Sequence, residues 1–304
     1  MSPETTPEYS VVSYGRELAD PYLGAVQQAV AGTGARIVEL ENAEGDGYVV
    51  TKLFVTFDGG LEALRSAVAA AAKAALAGGA SPAQSAVVPA SLVEPGRKLL
   101  VMDVDSTLIK QEVIELLAAH AGREAEVAAV TEAAMRGELD FAQSLHARVK
   151  TLAGLPESVI GEVGTRIELS DGAESLVKAF LSAGHAVAVV SGGFNQVLAP
   201  LASALELTFA RANELGIEDG LLTGTVTGEV VDRAVKARCL REWAAELDIR
   251  LDQTISVGDG ANDLDMLAAA ALGVAFNAKP AVQAAADAVL NLPSLDVVQH
   301  FVKL

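Results

Sequence analysis

The 304 residues exceed one average domain and fit two, and 51% hydrophobic with 20% charged residues is the balance of a globular chain with a sizeable core. A formal net charge of -18 argues against nucleic acid or a membrane surface as a partner. The single cysteine, Cys239, excludes an intrachain disulfide and fits a reducing compartment; with no secretory signal and no bilayer-length apolar stretch in view, a cytoplasmic location is expected.

In chain order, a strand is predicted at Tyr9 to Tyr14 and a helix at Pro21 to Gly32. Two strands follow, Ala35 to Asn42 and Tyr48 to Phe57, separated by a Gly/Asp hairpin signal at Ala43 to Gly47. A second helix runs from Gly60 to Ala77, and a weaker strand sits near Ser85 to Val88. The order β-α-β-β-α-β is the ferredoxin-like arrangement, a sheet with helices on one face. The stretch Gly78 to Pro95 is rich in Gly, Ala, Ser and Pro and reads as a linker. The expected division is therefore 1–90 for a first domain, a linker to 97, and 98–304 for a second.

The second region opens with Lys98 to Asp103, whose apolar run Leu99 to Met102 suits a strand buried on both faces. Helices are predicted at Glu112 to Ala121, Arg123 to Met135, Phe141 to Leu152 and Pro156 to Thr165. Beyond them come helix Ala173 to Ala183, strand Ala186 to Val190, helix Asn195 to Ala204, and a polar β-like excursion from Phe209 to Val231. Helix Val235 to Leu247, strand Thr254 to Val257, helix Ala261 to Ala270 and strands near Gly273 to Phe276 and Ala288 to Leu290 complete the chain. Strands alternating with such helices give an α/β fold with a parallel sheet, and ligands of such sheets sit beyond the carboxyl ends of the strands.

Polar groups stand at three of those ends. In Asp103-Val-Asp105-Ser-Thr107, alternation turns both aspartates to one side, so one can attack a phosphorus atom while the other sits by the leaving oxygen. A carboxylate attacking a phosphoryl group needs its repulsion cancelled, for which magnesium is suited. Ser191-Gly192-Gly193 offers a hydroxyl and backbone N–H groups before a helix, and Lys236 offers an ammonium. In Gly258-Asp259-Gly-Ala-Asn262-Asp263, glycines allow a tight turn and Asp259 can ligate metal. An EF-hand loop starting at Asp259 fails, because its twelfth position is Ala270. Singly, each element has an ordinary explanation: aspartates in a solvated loop, a common glycine turn, a solvated helix lysine. Their order along the chain joins them.

Together these motifs resemble the haloacid dehalogenase superfamily of phosphatases. Asp103 to Leu108 followed by Glu112, Met135 to Arg148, Val190 to Phe194 and Gly258 to Met266 narrow the resemblance to its phosphoserine phosphatase branch, over roughly Lys98 to Leu292. The resemblance implies hydrolysis of O-phospho-L-serine, the last step of serine synthesis, with Asp103 as nucleophile and Asp105 as acid/base. Magnesium would be held by Asp103, the Asp105 carbonyl and Asp259, with Asp263 behind them. Ser191, Gly192, Gly193, Lys236 and Asn262 would hold the phosphate. A helical cap at about 112–166 would present Glu112 to the substrate ammonium and Arg148 to its carboxylate, with Met135 and Phe141 as an apolar lid. Arg148, Lys236 and the metal would then supply the local positive charge that the acidic chain lacks. The first region resembles the regulatory modules called ACT domains, which implies an amino-acid effector and a homodimer. Another small phosphomonoester as substrate, or a ligand sensor with a vestigial phosphatase domain, remains the alternative.

Overall fold

The computed structural model describes residues 8–135 and 138–304, with side chains for all of these but 8, 134 and 135. The first sheet is built from β1 (Glu8–Gly15), β2 (Arg36–Gly45), β3 (Tyr48–Thr56) and β4 (Ala83–Val88), all paired antiparallel in the order β2-β3-β1-β4. Helices α1 (Asp20–Gly32) and α2 (Leu61–Ala77) lie together on one face. They bury Tyr22, Val26, Val30, Leu64 and Val68 against Val11, Leu53 and Val55, the alternate residues of β1 and β3. The expected ferredoxin-like order is present. The hairpin turn is two residues, Asp46 and Gly47, with Gly47 at φ 76°.

The stretch expected as a linker is folded and packed. It contains β4 and a short helix, α3 (Ala90–Val93), which buries Leu92 and Val93. The fully buried Lys98 donates to the Ser91 and Glu94 carbonyls at 2.8 Å each, satisfying the end of that helix. Small residues signalled flexibility, but they allow close packing equally well. The face of the small sheet turned away from α1 and α2 carries Val12, Tyr14, Val50 and Val88, which share one apolar cluster with Leu290 and Phe301 from the end of the chain.

The second sheet is seven-stranded, in the order β11-β10-β9-β5-β6-β7-β8. Its strands are β5 (Leu99–Met102), β6 (Ala186–Phe194), β7 (Phe209–Glu218), β8 (Leu221–Thr227), β9 (Thr254–Gly258), β10 (Leu272–Phe276) and β11 (Ala288–Leu290). All neighbours are parallel except the β7–β8 hairpin, which is the polar excursion read from the sequence. Crossovers are made by α8 (Ala173–Ser182), α9 (Asn195–Ala204), α10 (Arg233–Glu246) and α11 (Leu264–Ala269), while α12 (Pro280–Gln283) precedes β11. The helix predicted over Ala261 to Ala270 divides into a 3₁₀ turn at Ala261–Asp263 and α11. Between β5 and α8 the chain forms α4 (Val113–His120), α5 (Glu124–Met135), α6 (Phe141–Lys150) and α7 (Ser158–Gly164). A capping box starts α6: Asp140 accepts from the Gln143 N–H at 2.8 Å and the Gln143 side chain accepts from the Asp140 N–H at 3.0 Å. This helical insertion rests on the hairpin, the Gly154 N–H donating to the Leu222 carbonyl and Leu222 N–H to Leu155, each at 2.8 Å.

Candidate active site

β5 lies in the middle of the large sheet, between β9 and β6, so its carboxyl end is flanked by both neighbours' ends. Asp103 follows directly, 3% exposed, its N–H donating to the Val257 carbonyl at 2.9 Å. Lys236, 0% exposed on α10, places its ammonium 2.7 Å from Asp103 Oδ2 and 2.7 Å from Asp263 Oδ1. Burial works against the lysine's charge, but the two carboxylates outweigh it and hold the ammonium protonated, well above the ordinary lysine range. Burial, then the facing Asp263, pushes the Asp103 carboxyl up, with Lys236 pulling the other way.

Asp105 stands across the same space. Its Oδ2 accepts from Ser191 Oγ at 3.1 Å and its Oδ1 from the Val113 N–H at 3.0 Å, the first turn of α4. Burial, and next the Glu112 carboxylate, raise its pKa to about 7. Directly after Asp105 the chain bends through Ser106 at φ 57°, whose hydroxyl donates to Glu112 at 2.8 Å. Ser191 Oγ in turn accepts from the Gly193 N–H at 2.7 Å. A methyl group on Gly193 would fall 2.8 Å from Asp105 Oδ2, and one on Gly258 would fall 2.4 Å from Asp263 Cγ. Glycine at these two places is a matter of room for the carboxylates.

Asp259 follows β9 and accepts from Thr107 Oγ1 at 3.3 Å; burial, then Asp263 and Glu112, raise its pKa to about 6. Asp263 is fully buried, with Oδ1 on Lys236 and Oδ2 accepting from the Gly260 N–H at 3.0 Å. Oxygens of Asp103, Asp259 and Asp263 lie within 4.8 Å of one another. Of these three carboxylates the Lys236 ammonium pairs with two, Asp103 and Asp263, and the Asp103 and Asp259 carboxyls are both pushed toward neutrality. That surplus of negative charge fits a divalent cation.

A cavity of about 420 Å³ opens from Asp103 and Asp105 toward the helical insertion, lined by Glu112, Phe141 and Arg148 on one side and Gly192, Gly193, Asp259 and Asn262 on the other. Phe141 leans over Gly192, where an added methyl would come 3.0 Å from Phe141 Cζ. Arg148 Nε donates to the Ser144 carbonyl at 3.4 Å, and its guanidinium faces Glu112, Glu115 and Asp105. The residues predicted from sequence therefore converge, except that the Met135 side chain lies outside the described residues.

Sequence reading missed several neighbours. Asn213, 1% exposed on β7, donates to the Gly192 carbonyl and accepts from the Val231 N–H, each at 2.8 Å, so it fixes the glycine turn. Thr107 was present in the first motif but unassigned. Lys279, between β10 and α12, lines the cavity although no motif contains it.

Fold and site together define an α/β enzyme built around a buried aspartate–lysine–aspartate cluster at the end of its central strand. The chain belongs to the haloacid dehalogenase-like hydrolase family, whose profile matches residues 100–268. It is 60% identical over 215 residues to a phosphoserine phosphatase of Streptomyces coelicolor, covering 71% of this chain and 52% of that one. It is 50% identical over 197 residues to a phosphoserine phosphatase of Streptococcus thermophilus, 65% of this chain and 92% of that one. The chain thus spans about half the length of the Streptomyces relative but nearly all of the streptococcal one. Among solved structures, a probable phosphoserine phosphatase from Vibrio cholerae in its unliganded form superposes with TM-score 0.73 at 35% identity, over 96% of this chain and 85% of that one. Among the described residues no helix is long and apolar enough to cross a membrane.

Proposed function

We propose that the chain is a phosphoserine phosphatase that hydrolyses O-phospho-L-serine to serine and phosphate, the last step of serine synthesis. The observation that carries this reading is the pairing of two unlike carboxyls at one strand end. Asp103 is bound to Lys236 at 2.7 Å, and Asp105, bound to Ser191 at 3.1 Å, has its pKa raised to about 7. An Asp103 oxygen attacks phosphorus, the phosphorus–ester oxygen bond breaks, and Asp105 gives its proton to the seryl oxygen that leaves. Asp105, now ionised, takes a proton from water; that water's oxygen attacks the aspartyl phosphate, and the bond to Asp103 breaks to release phosphate. A pKa near neutrality suits a group that must donate and then accept. Ser191, Gly192, Gly193, Lys236 and Asn262 hold the phosphoryl oxygens.

Magnesium fits the oxygen cluster, and Asp103, Asp259 and the Asp105 carbonyl would hold it, with Asp263 supporting through Lys236 and Gly260. Bound there, it offsets the repulsion between the carboxylate nucleophile and the phosphate dianion. In the cap, Arg148 receives the substrate carboxylate and Glu112 its ammonium, while Phe141 excludes water. We assign 1–90, with a connecting stretch to 97, to an ACT-like regulatory and dimerisation unit and 98–304 to the phosphatase, with the cap at about 112–166. The edge strand β2 exposes Val38 and Leu40 at 43% and 48%, which supports a homodimer formed through that unit. An amino-acid effector there, and a cytoplasmic setting for the buried free Cys239, complete the reading.

The test is phosphate release from phosphoserine, with and without magnesium, by the wild type, Asp103→Asn and Arg148→Ala. We expect magnesium-dependent release that Asp103→Asn reduces by at least about 10³-fold. Arg148→Ala should cut kcat/KM for phosphoserine by about 10²-fold and leave a phosphate ester lacking a carboxylate nearly unaffected. No release by folded wild type with metal present would overturn the reading; equal losses on both esters would remove the role given to Arg148.

A further inference from the structure

The cavity has an imbalance that the catalytic roles leave unresolved. Its walls carry Asp103, Asp105, Glu112, Asp140 and Asp259 against two cations, Arg148 and Lys279. Lys236 lies beneath, engaged by two carboxylates at 2.7 Å each. Arg148 faces Glu112, Glu115 and Asp105. A dianion approaching this opening in a chain of net charge -18 meets mostly negative charge before it reaches either group.

Lys279 is placed differently. It is exposed, and among the described residues no carboxylate forms an ion pair with it. Its backbone is nevertheless fixed. Asn277 turns the chain at φ 45°, with its N–H on the Leu290 carbonyl at 2.9 Å and its side chain on the Leu292 carbonyl at 3.1 Å. The Lys279 carbonyl accepts from the N–H groups of Val282 and Gln283 at 2.9 and 3.0 Å, and Pro280 presets the first turn of α12. A fixed backbone thus holds an exposed, uncommitted ammonium in the lining of the same cavity as Asp259 and Asn262.

We propose that Lys279 is the capture residue for the phosphate dianion, binding it at the rim on entry and holding the inorganic phosphate product on exit. This rests on the phosphatase reading above and adds a residue that sets affinity for the dianion. A rim charge of this kind acts on association and on its salt dependence, whereas the reacting groups set kcat.

The experiment compares wild type with Lys279→Gln, Lys279→Arg and, as a control that changes net charge equally far from the cavity, Lys73→Gln on the exposed side of α2. For phosphoserine at low ionic strength we expect Lys279→Gln to raise KM, and the inhibition constant of inorganic phosphate, by about 3- to 10-fold with kcat within about twofold. The difference should shrink as salt is added, because a few hundred millimolar salt screens charges beyond several Å, roughly 8 Å already at 0.15 M. Lys279→Arg should restore most of the affinity, and Lys73→Gln should match wild type. Titration calorimetry with inorganic phosphate and magnesium gives a second readout that needs no turnover. If the wild type does not hydrolyse phosphoserine, the phosphatase reading fails while phosphate binding still judges Lys279. Unchanged KM and phosphate affinity in Lys279→Gln would overturn the proposal, as would a loss confined to kcat or a matching loss in Lys73→Gln.

Discussion

The strand-end site and the junction between the two sheets are both buried, and opposite physics holds them. At the site, charge is the structural material: Lys236 binds Asp103 and Asp263 with none of the three exposed beyond 5% at the side chain. At the junction, Val12, Tyr14, Val88, Leu92 and Phe301 form a continuous apolar contact. A few polar pins cross it, among them Arg65 with Asp287 and the Asn291 N–H with Gln84 at 2.8 Å. Burying ions is costly unless each finds partners, so the site must be complete to be tolerable. The junction can lose a pin and keep its apolar contact. One region should therefore fail sharply to single changes and the other by degrees.

The largest effect should come from Lys236→Met, which removes the shared cation and leaves two carboxylates buried face to face. Without divalent cation we expect about 3–5 kcal/mol lower stability by urea unfolding, together with loss of activity. The deficit should narrow in acid, where protonation relieves the repulsion. A loss under about 1 kcal/mol would mean that the cluster is looser and wetter than its geometry indicates.

Legibility from sequence divides along the same line. Asp103, Asp105, Ser191, Gly193, Lys236, Asp259 and Asp263 were readable because each sits at a strand end or a helix start in a short local pattern, and strand alternation with helices says those ends meet. Asn213 and Lys279 were not. Each depends on where a distant segment comes to lie, and neither carries a pattern of its own. The 3₁₀ turn at Ala261–Asp263 also escaped, since it follows from the Asp263 side chain reaching back to the Gly260 N–H at 3.0 Å. The junction was least legible. Ala, Gly, Ser and Pro between 78 and 95 suggested a flexible linker, yet the apolar Leu92 and Val93 within it are buried. Tyr14 reads as the end of a strand, yet its hydroxyl bonds a carbonyl 275 residues further along the chain.

A second, intermediate effect should appear in acid at the junction. His300 lies against Tyr48, its Nε2 3.4 Å from the hydroxyl, and burial, then Lys52, push its pKa down to about 4. In the unfolded chain the same imidazole titrates near about 6.5. Between these values the unfolded state binds the extra proton, so stability is full above pH about 6.5 and falls as pH drops toward about 4. Because the ring is only partly buried, solvent screening should limit the loss to roughly 1–2 kcal/mol. His300→Gln should flatten stability between pH 6.5 and 4.5 relative to wild type. An unchanged slope would show that groups other than His300 carry the loss in acid.

The smallest effect tests whether the junction is truly graded. Tyr14 is fully buried, its ring 5.6 Å from that of Phe301 and its hydroxyl donating to the Val289 carbonyl at 2.7 Å. Burial raises the phenol pKa beyond any working pH, so the group is a neutral donor throughout. Tyr14→Phe keeps the ring packing and removes one hydrogen bond, leaving the partly buried Val289 carbonyl on β11 short of a partner. The expected loss is about 1 kcal/mol in urea unfolding, with one cooperative transition retained and kcat unchanged. Two separated transitions would mean that this one bond couples the sheets, and that the apolar contact around it contributes less than its burial implies. Retention of a single transition would instead assign the coupling to Val12, Val88, Leu92 and Phe301, where losing one polar pin should matter little.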